Sequence, residues 1–141
     1  LVGDMEDTIA LTAAYLKTHK QFGVAIGSFQ ALQHRMADMA IELSQARATL
    51  YLGLRTLAAD DGATRTVEVS GCKAQVARSA RFVTAQGIQL HGGYGITEEY
   101  KVGHHFRRLL ILDALFGDTN YHLNRYGRHL QAQARQLTGS C

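Results

Sequence analysis

The sequence predicts an all-α protein, an antiparallel up-down four-helix bundle with an extra C-terminal helix, on three observations. Pro and Trp are absent from the 141 residues, while Ala, Leu, Gln and Arg are plentiful, a composition that suits long unbroken helices better than a sheet. Apolar residues recur at spacings of three and four along most of the chain, the period of a helix with one buried face. The connections between these stripes are short, and short connections between long helices favour antiparallel neighbours. With 46% hydrophobic residues, the length is that of one domain with a real core.

Val2, Met5, Ile9, Ala13 and Leu16 mark the first helix, which runs to about Lys20 and ends at Phe22-Gly23. A longer stripe follows through Ile26, Phe29, Leu32, Met36, Met39, Leu43, Ala46, Leu50 and Leu57. Within it Phe29, Met36, Leu43, Leu50 and Leu57 stand in strict sevens, the spacing of a seam along a neighbouring helix. Asp60-Asp61-Gly62-Ala63-Thr64 reads as a polar turn. Val69, Cys72, Val76, Ala80, Val83, Gly87 and Leu90 then mark a third helix, with Lys73, Arg78 and Arg81 on its polar face.

Gly92, Gly93 and Gly95 break that helix. Thr97 is expected to cap a new one, with Glu98 and Glu99 in its first turn at the positive end of the dipole. Val102, Phe106, Leu109 and Leu110 mark this fourth helix, stopped near Gly117, and Leu123, Tyr126 and Leu130 mark a fifth. The polar tail from Gln131 is expected to fray, and no internal repeat or low-complexity segment appears. The chain begins at Leu1 within a helical pattern, as a piece of a longer protein would.

The glycine break has two uses. Glycines let the backbone take positive φ and let a ligand or second chain approach closely, and they also make a tight corner between packed helices. From the glycines alone the corner is the plainer reading, because short glycine patterns are weak evidence of phosphate binding.

The net charge of +3 comes from 15 Lys and Arg scattered among 12 acids, without the basic runs and interleaved aromatics of nucleic-acid binders. No apolar run approaches the roughly 20 residues of a membrane span, and no signal-peptide pattern opens the chain. Cys72 and Cys141 have no metal-ligand or redox-motif spacing, which fits a reducing compartment such as the cytoplasm.

The seven histidines, His19, His34, His91, His104, His105, His122 and His129, form no metal-binding motif, and adjacent His104 and His105 point about 100° apart on a helix. No metal is expected. Asp113 and Asp118 flank the Gly117 junction, where a carboxylate could act as a base, although capping of the last helix suits Asp118 better. Ser, His and Asp occur without a nucleophile elbow.

Three segments together resemble the C-terminal helical domain of the acyl-CoA dehydrogenases. They are Tyr15-Leu16-Lys17-Thr18-His19-Lys20-Gln21-Phe22-Gly23, then Phe29-Gln30 with Ala37-Asp38-Met39, and Gln89-Leu90-His91-Gly92-Gly93-Tyr94-Gly95-Ile96-Thr97-Glu98-Glu99-Tyr100 with Phe106-Arg107. The resemblance covers nearly the whole chain, residues 1–141, and implies that the family's N-terminal helical and middle β domains are absent from it. It also implies that FAD lies between the middle domain and the bundle, with its adenosine-pyrophosphate end reaching the bundle of a neighbouring subunit in a dimer or tetramer.

By the family pattern, Gln21 and Phe22 meet the flavin nucleotide, while Gln89, Leu90, His91, Gly92 and Gly93 line its pyrophosphate and ribose. Gly92 and Gly93 permit close approach to an anion and Gln89 offers an amide, so the resemblance overturns the corner reading. Asp118 and Thr119 are the flavin-contact candidates at the far junction.

Two departures matter. The family usually carries Arg at the position of His19, and a histidine, mostly neutral at pH 7, cannot make the same bidentate contact, which leaves Lys20 as the substitute cation. Most members carry a catalytic Glu where this chain has Phe116-Gly117-Asp118-Thr119, and neither Phe116 nor Gly117 can abstract a proton. The ending resembles base-less subunits of heteromeric bacterial members, so no base is assigned, with Asp118 the weak candidate.

The resemblance implies dehydrogenation of an acyl-CoA thioester to the 2-enoyl-CoA, with electrons passed to an electron-transfer flavoprotein-type acceptor. The rival is a non-catalytic oligomerisation subunit, favoured by the missing Glu and by His19 and opposed by the intact glycine motif.

Overall fold

The computed structural model describes residues 1–58 and 61–138. Its five helices are α1 (Val2–Thr18), α2 (Gln30–Leu57), α3 (Gly62–His91), α4 (Lys101–Ala114) and α5 (Thr119–Thr138). The predicted all-α bundle is therefore observed. One small hairpin is added, β1 (Lys20–Gln21) pairing antiparallel with β2 (Val24–Ala25) between α1 and α2.

α3 is the central helix because its buried positions are small: Ser70, Ala74, Ala77, Ser79, Ala80, Thr84 and Gly87 let neighbouring backbones come close. The pairs Arg35–Gln86, Glu42–Ser79 and Thr49–Cys72 run in opposite order along α2 and α3 and fix an antiparallel register. α4 also runs against α3, with Val102 beside Gly87 and Asp113 paired to Arg81. α5 continues in that direction and sets Tyr126 against Gly71. Met5, Met39, Leu43, Ala46, Val76, Ala80, Val83, Leu90 and Leu109 form the core between these helices.

α1 and α3 cross closely at Gly87. A Cβ on Gly87 would lie 2.5 Å from the Thr8 methyl and 3.5 Å from the Thr12 hydroxyl oxygen. Thr8 and Thr12 are fully buried, yet their hydroxyls are satisfied within α1, each donating 2.7 Å to the carbonyl four residues back, Asp4 and Thr8 respectively. The seam of α1 is thus Met5, Thr8, Thr12 and Leu16 rather than a purely apolar stripe.

The strict sevens on α2 do not stay in the core. Met39, Leu43, Ala46 and Gly53 are buried, while Leu50 and Leu57 are exposed. The buried residues Met39, Ala46 and Gly53 are themselves spaced by sevens and keep to the core, with Gly53 set against Cys72 of α3, so of the two rows on this face it is the one through Leu50 and Leu57 that reaches solvent.

The Asp61 side chain caps α3, accepting from the Ala63 and Thr64 backbone N–H groups at 3.0 and 3.3 Å and from the Thr64 hydroxyl. Those hydrogen bonds, the Thr64 hydroxyl first, hold its carboxyl below the usual range. Gly62, Ala63 and Thr64, expected as part of a turn, are therefore the first turn of α3. Asp60 of that expected turn lies outside the described residues.

The tail after Gln131 is helical through Thr138, where fraying was expected, as its Ala, Gln and Arg content supports. The face α5 turns inward carries His122 and Tyr126, whereas Leu123 and Leu130 of the expected stripe are exposed. The short α4–α5 connection sets this rotation through Asp113 and Thr119. Among the described residues no helix is long and apolar enough to cross a membrane.

Replacing Gly87 with Val should destabilise the fold by about 1–3 kcal/mol, since α1 cannot retreat without uncovering Met5 and Leu16. Urea unfolding of parent and variant measures this.

Candidate functional site

A cavity of about 850 Å³ opens at the end of the bundle where α1 and α3 finish. Tyr15 enters it from the last turn of α1, His19 from the extended cap that follows, Gln21 and Phe22 from the hairpin, and Phe29 and Leu32 from the start of α2. Gln89, Leu90 and His91 enter from the end of α3, and Gly92, Gly93 and Tyr94 from the following turn. Eight of the ten residues assigned to the nucleotide on resemblance, His19, Gln21, Phe22, Gln89, Leu90, His91, Gly92 and Gly93, therefore share one wall-to-wall space.

The hairpin reaches the cavity because Phe22 and Gly23 both take positive φ, 53° and 82°, as the central pair of a tight two-residue turn. The Ile26 amide closes its base on the His19 carbonyl at 2.9 Å. Phe22 is 90% exposed, an unusual state for a strained aromatic residue.

The three glycines of the break do different work. Gly92 ends α3 with φ 59° and ψ −136°, a conformation open in practice only to glycine, and its N–H donates to the Gln89 carbonyl. Gly95 is a packing position, where a Cβ would lie 2.6 Å from the Ile88 carbonyl oxygen. Gly93 has ordinary φ and nothing within 4 Å of where a Cβ would stand, so its bareness serves the cavity rather than the fold.

Thr97 does not cap α4. The chain makes a 3₁₀ turn over Gly92–Ile96 and a further bend before α4 begins at Lys101, with Tyr100 in the cap position. The Thr97 hydroxyl turns back to the Tyr94 carbonyl at 2.9 Å, and α4 has no acid in its first turn. Glu98 instead meets α4 from the side, its carbonyl 2.7 Å from His104 Nε2 and its carboxylate 3.6 Å from Arg107.

Tyr15 organises the histidines. Its ring stacks on His19 at 4.8 Å and 14°, and lies 4.5 Å from His91, which also meets Tyr100 at 4.9 Å. Burial, with the neighbouring hydroxyls of Tyr94 and Tyr100, pushes the Tyr15 hydroxyl up from its usual range. His91 is 2% exposed; burial pulls its pKa below the usual 6.5, against the opposing effect of a hydrogen bond to the Gly87 carbonyl.

No Lys, Arg, Asp or Glu lines the cavity among the described residues, so Lys20, the substitute cation suggested by the sequence, stands outside it. A neutral polar ligand surface would meet the amides of Gln21 and Gln89, a bare glycine backbone, and apolar walls of Phe22, Phe29, Leu32 and Leu90. That set suits a dinucleotide, whose anionic centre can be held by backbone and amide dipoles and whose rings pack on apolar side chains.

Asp118 and Thr119 lie elsewhere, at the α4–α5 junction. The Tyr121 N–H donates to Asp118 Oδ1 at 2.8 Å, so Asp118 caps α5. Buried Asp113 accepts from the Thr119 N–H at 3.1 Å and hydroxyl at 2.7 Å, and lies 3.4 Å from Arg81. Between them Phe116, with φ 60°, is 93% exposed, while its carbonyl lies 3.1 Å from His122 Nε2. Tyr15, Tyr94 and Tyr100 are functional candidates that the sequence reading missed, although Tyr15 stands four residues before His19 and so on the same helix face.

The chain belongs to the acyl-CoA dehydrogenase family: residues 1–131 match the model of the acyl-CoA dehydrogenase C-terminal domain. Acyl-CoA dehydrogenase IpdE2 of Mycolicibacterium smegmatis is 36% identical over 124 residues, 88% of this chain and 38% of that protein. Butyryl-CoA dehydrogenase of Megasphaera elsdenii superposes with a TM-score of 0.84 at 29% identity, covering 92% of this chain and 33% of that one. A crystal structure of a FAD-dependent dehydrogenase gives 0.83 at 26%, covering 92% and 34%. The chain thus spans a little over a third of the length of the curated relative and about a third of each solved structure.

The depressed pKa of His91 fixes a sign for stability against pH. Above the ordinary histidine range the ring is neutral in both folded and unfolded chain; as pH falls through about 6.5 the unfolded chain takes up the proton first, and stability is lost. His91→Phe should therefore flatten the decline in thermal midpoint between about pH 7 and pH 5 relative to the parent, as read by differential scanning calorimetry.

Proposed function

We propose that this bundle holds the adenosine-pyrophosphate end of FAD in an acyl-CoA dehydrogenase that oxidises an acyl-CoA thioester to the 2-enoyl-CoA. The observation that carries this is the meeting of residues about seventy positions apart, His19, Gln21 and Phe22 with Gln89 to Gly93, around one glycine-floored cavity. His91 Nε2, buried on that wall without a partner, and the open space above Gly93 are features that a plain helix corner would not need.

When bound, FAD supplies the hydride acceptor. The chain's own part is to bind and orient: Gln21 and Gln89 offer amides to ribose and phosphate oxygens, Gly92 and Gly93 let the backbone approach the pyrophosphate, and Phe22 covers the nucleotide. With no permanent cation lining the cavity among the described residues, these neutral dipoles carry the anion.

Two apolar surfaces support an oligomer in which the flavin end belongs to a neighbouring subunit. One lies on the second half of α2, with Tyr51, Leu54 and Leu57, and the other at the end of α4, with Ile111, Leu115 and Phe116. Asp118 and Thr119, at the second of these, are our candidates for contact with the flavin of another cofactor copy. The acyl-CoA pocket and the acid–base group come from outside residues 1–141 or from a partner subunit, since Phe116 and Gly117 carry no such group. Electrons then pass to an electron-transfer flavoprotein-type acceptor.

A second reading, a non-catalytic oligomerisation subunit, is favoured by Phe116 at the junction where most of the family carry Glu. The visible absorption spectrum of the purified chain, taken with its solution mass, separates the two: bound flavin on an oligomer supports the first, and a colourless folded oligomer that takes up no FAD supports the second.

Gly93→Val should weaken FAD by about tenfold or more while leaving the thermal midpoint unchanged. Gly95→Ala should do the reverse, lowering the midpoint through its clash with Ile88. Equilibrium dialysis against FAD and calorimetry on both variants test the pair.

A further inference from the structure

His105 stands in the second turn of α4, and each of its ring nitrogens meets a carboxylate of α1. Nδ1 lies 3.1 Å from Asp4 Oδ1, and Nε2 lies 2.8 Å from Asp7 Oδ2. Asp4 and Asp7 are three residues apart on α1, so that helix presents both to one side chain of its neighbour. The ring and Asp4 are largely buried, while Asp7 is half exposed.

An ionised carboxylate can only accept, so a ring that satisfies both must donate from both nitrogens, which only the imidazolium does. A neutral ring keeps one N–H and sets a bare lone pair against the other carboxylate at hydrogen-bond distance. The remaining charged groups at this spot are the Leu1 amino group, 3.5 Å from Asp4 Oδ2, and Arg108, whose Nε is 3.8 Å from the same oxygen. Both approach Oδ2 and leave Oδ1 to the ring. Glu6 of α1 turns to Arg47 of α2, and His104 turns to the Glu98 carbonyl and Arg107. From α3, Arg81 and Lys73 meet α4 only near its far end, at Asp113 and the Leu112 carbonyl.

We propose that His105 bridges Asp4 and Asp7 as an imidazolium, a proton-dependent latch that ties α4 to α1 at neutral pH and loosens when the ring gives up one proton. The latch stabilises the fold while the ring holds both protons and is lost as pH rises, the opposite sense to His91. It lies close to the cavity. Tyr100, in the cap position of α4, packs on His91, and a Cβ on Gly103 would stand 3.1 Å from the Gly95 carbonyl oxygen. Loosening the latch therefore frees the first turn of α4 and the glycine turn packed on it. The FAD reading does not depend on this inference.

The test is ring-nitrogen NMR and thermal unfolding of the full chain, in parent, Asp7→Asn and His105→Gln. Asp7 is half exposed, so Asp7→Asn leaves the helix packing in place, and its amide can donate to a bare ring nitrogen. At about pH 7 the parent should show both His105 nitrogens protonated and Asp7→Asn only one. Between about pH 6.5 and pH 9 the parent should lose roughly 3–6 °C of thermal midpoint relative to Asp7→Asn, with His105→Gln following Asp7→Asn. The Leu1 amino group and Asp4 are common to all three chains, so the difference reports the ring.

A singly protonated His105 in the parent at that pH would overturn the inference, and so would midpoints that fall in parallel in parent and Asp7→Asn. The NMR readout is made on the parent itself, so it decides the protonation state even if a variant does not fold.

Discussion

At Gly87 the backbone of α3 meets α1 so closely that the Thr8 methyl occupies the ground a β-carbon would need, 2.5 Å away. The position of the cavity depends on that crossing. One turn further along α3 stands His91, and one turn beyond Thr12 on α1 stand Tyr15 and Leu16. A larger residue at 87 would part the two helix ends and with them the Tyr15–His91 contact at 4.5 Å. The crossing also explains two buried threonines in a seam built otherwise of apolar side chains. Their short methyl and self-satisfied hydroxyl give a shape that leucine cannot, without leaving a buried donor unpaired.

The cavity divides its tasks between backbone and side chain. Glycine at 92 is required by its left-handed φ, glycine at 95 by contact with Ile88, and glycine at 93 by neither, which makes it the position where the fold leaves room for something else. A turn that were only a corner would need the first two. Among the described residues no lysine or arginine lines the cavity, and its polar lining includes the amides of Gln21 and Gln89 and the glycine backbone, held by the hairpin and the end of α3.

At the opposite junction the polar groups are occupied with structure. Asp113 gathers the Thr119 amide and hydroxyl and Arg81, Asp118 caps α5, and His122 meets the carbonyl of a left-handed Phe116. The result is a turn that presents the exposed ring of Phe116 beside the exposed carboxylate of Asp118.

The sequence by itself determined the helical class and the order of five helices, and it picked out eight residues that meet around one cavity. Periodicity and the absence of proline are local properties, and the glycine and hairpin motifs are short strings whose spacing survives folding. It did not determine the rotation of each helix. The sevens of α2 lead to Leu50 and Leu57, which are exposed, while the parallel row through Met39, Ala46 and Gly53 stays in the core, because α3 packs on that row. It placed Thr97 as a cap, where the 3₁₀ turn at Gly92–Ile96 instead folds its hydroxyl back on Tyr94. The tautomer of His91 and the tyrosines around it were decided only by tertiary structure, since they arise where α1, α3 and the turn before α4 converge, and no string of neighbouring residues records which side chains meet across three elements.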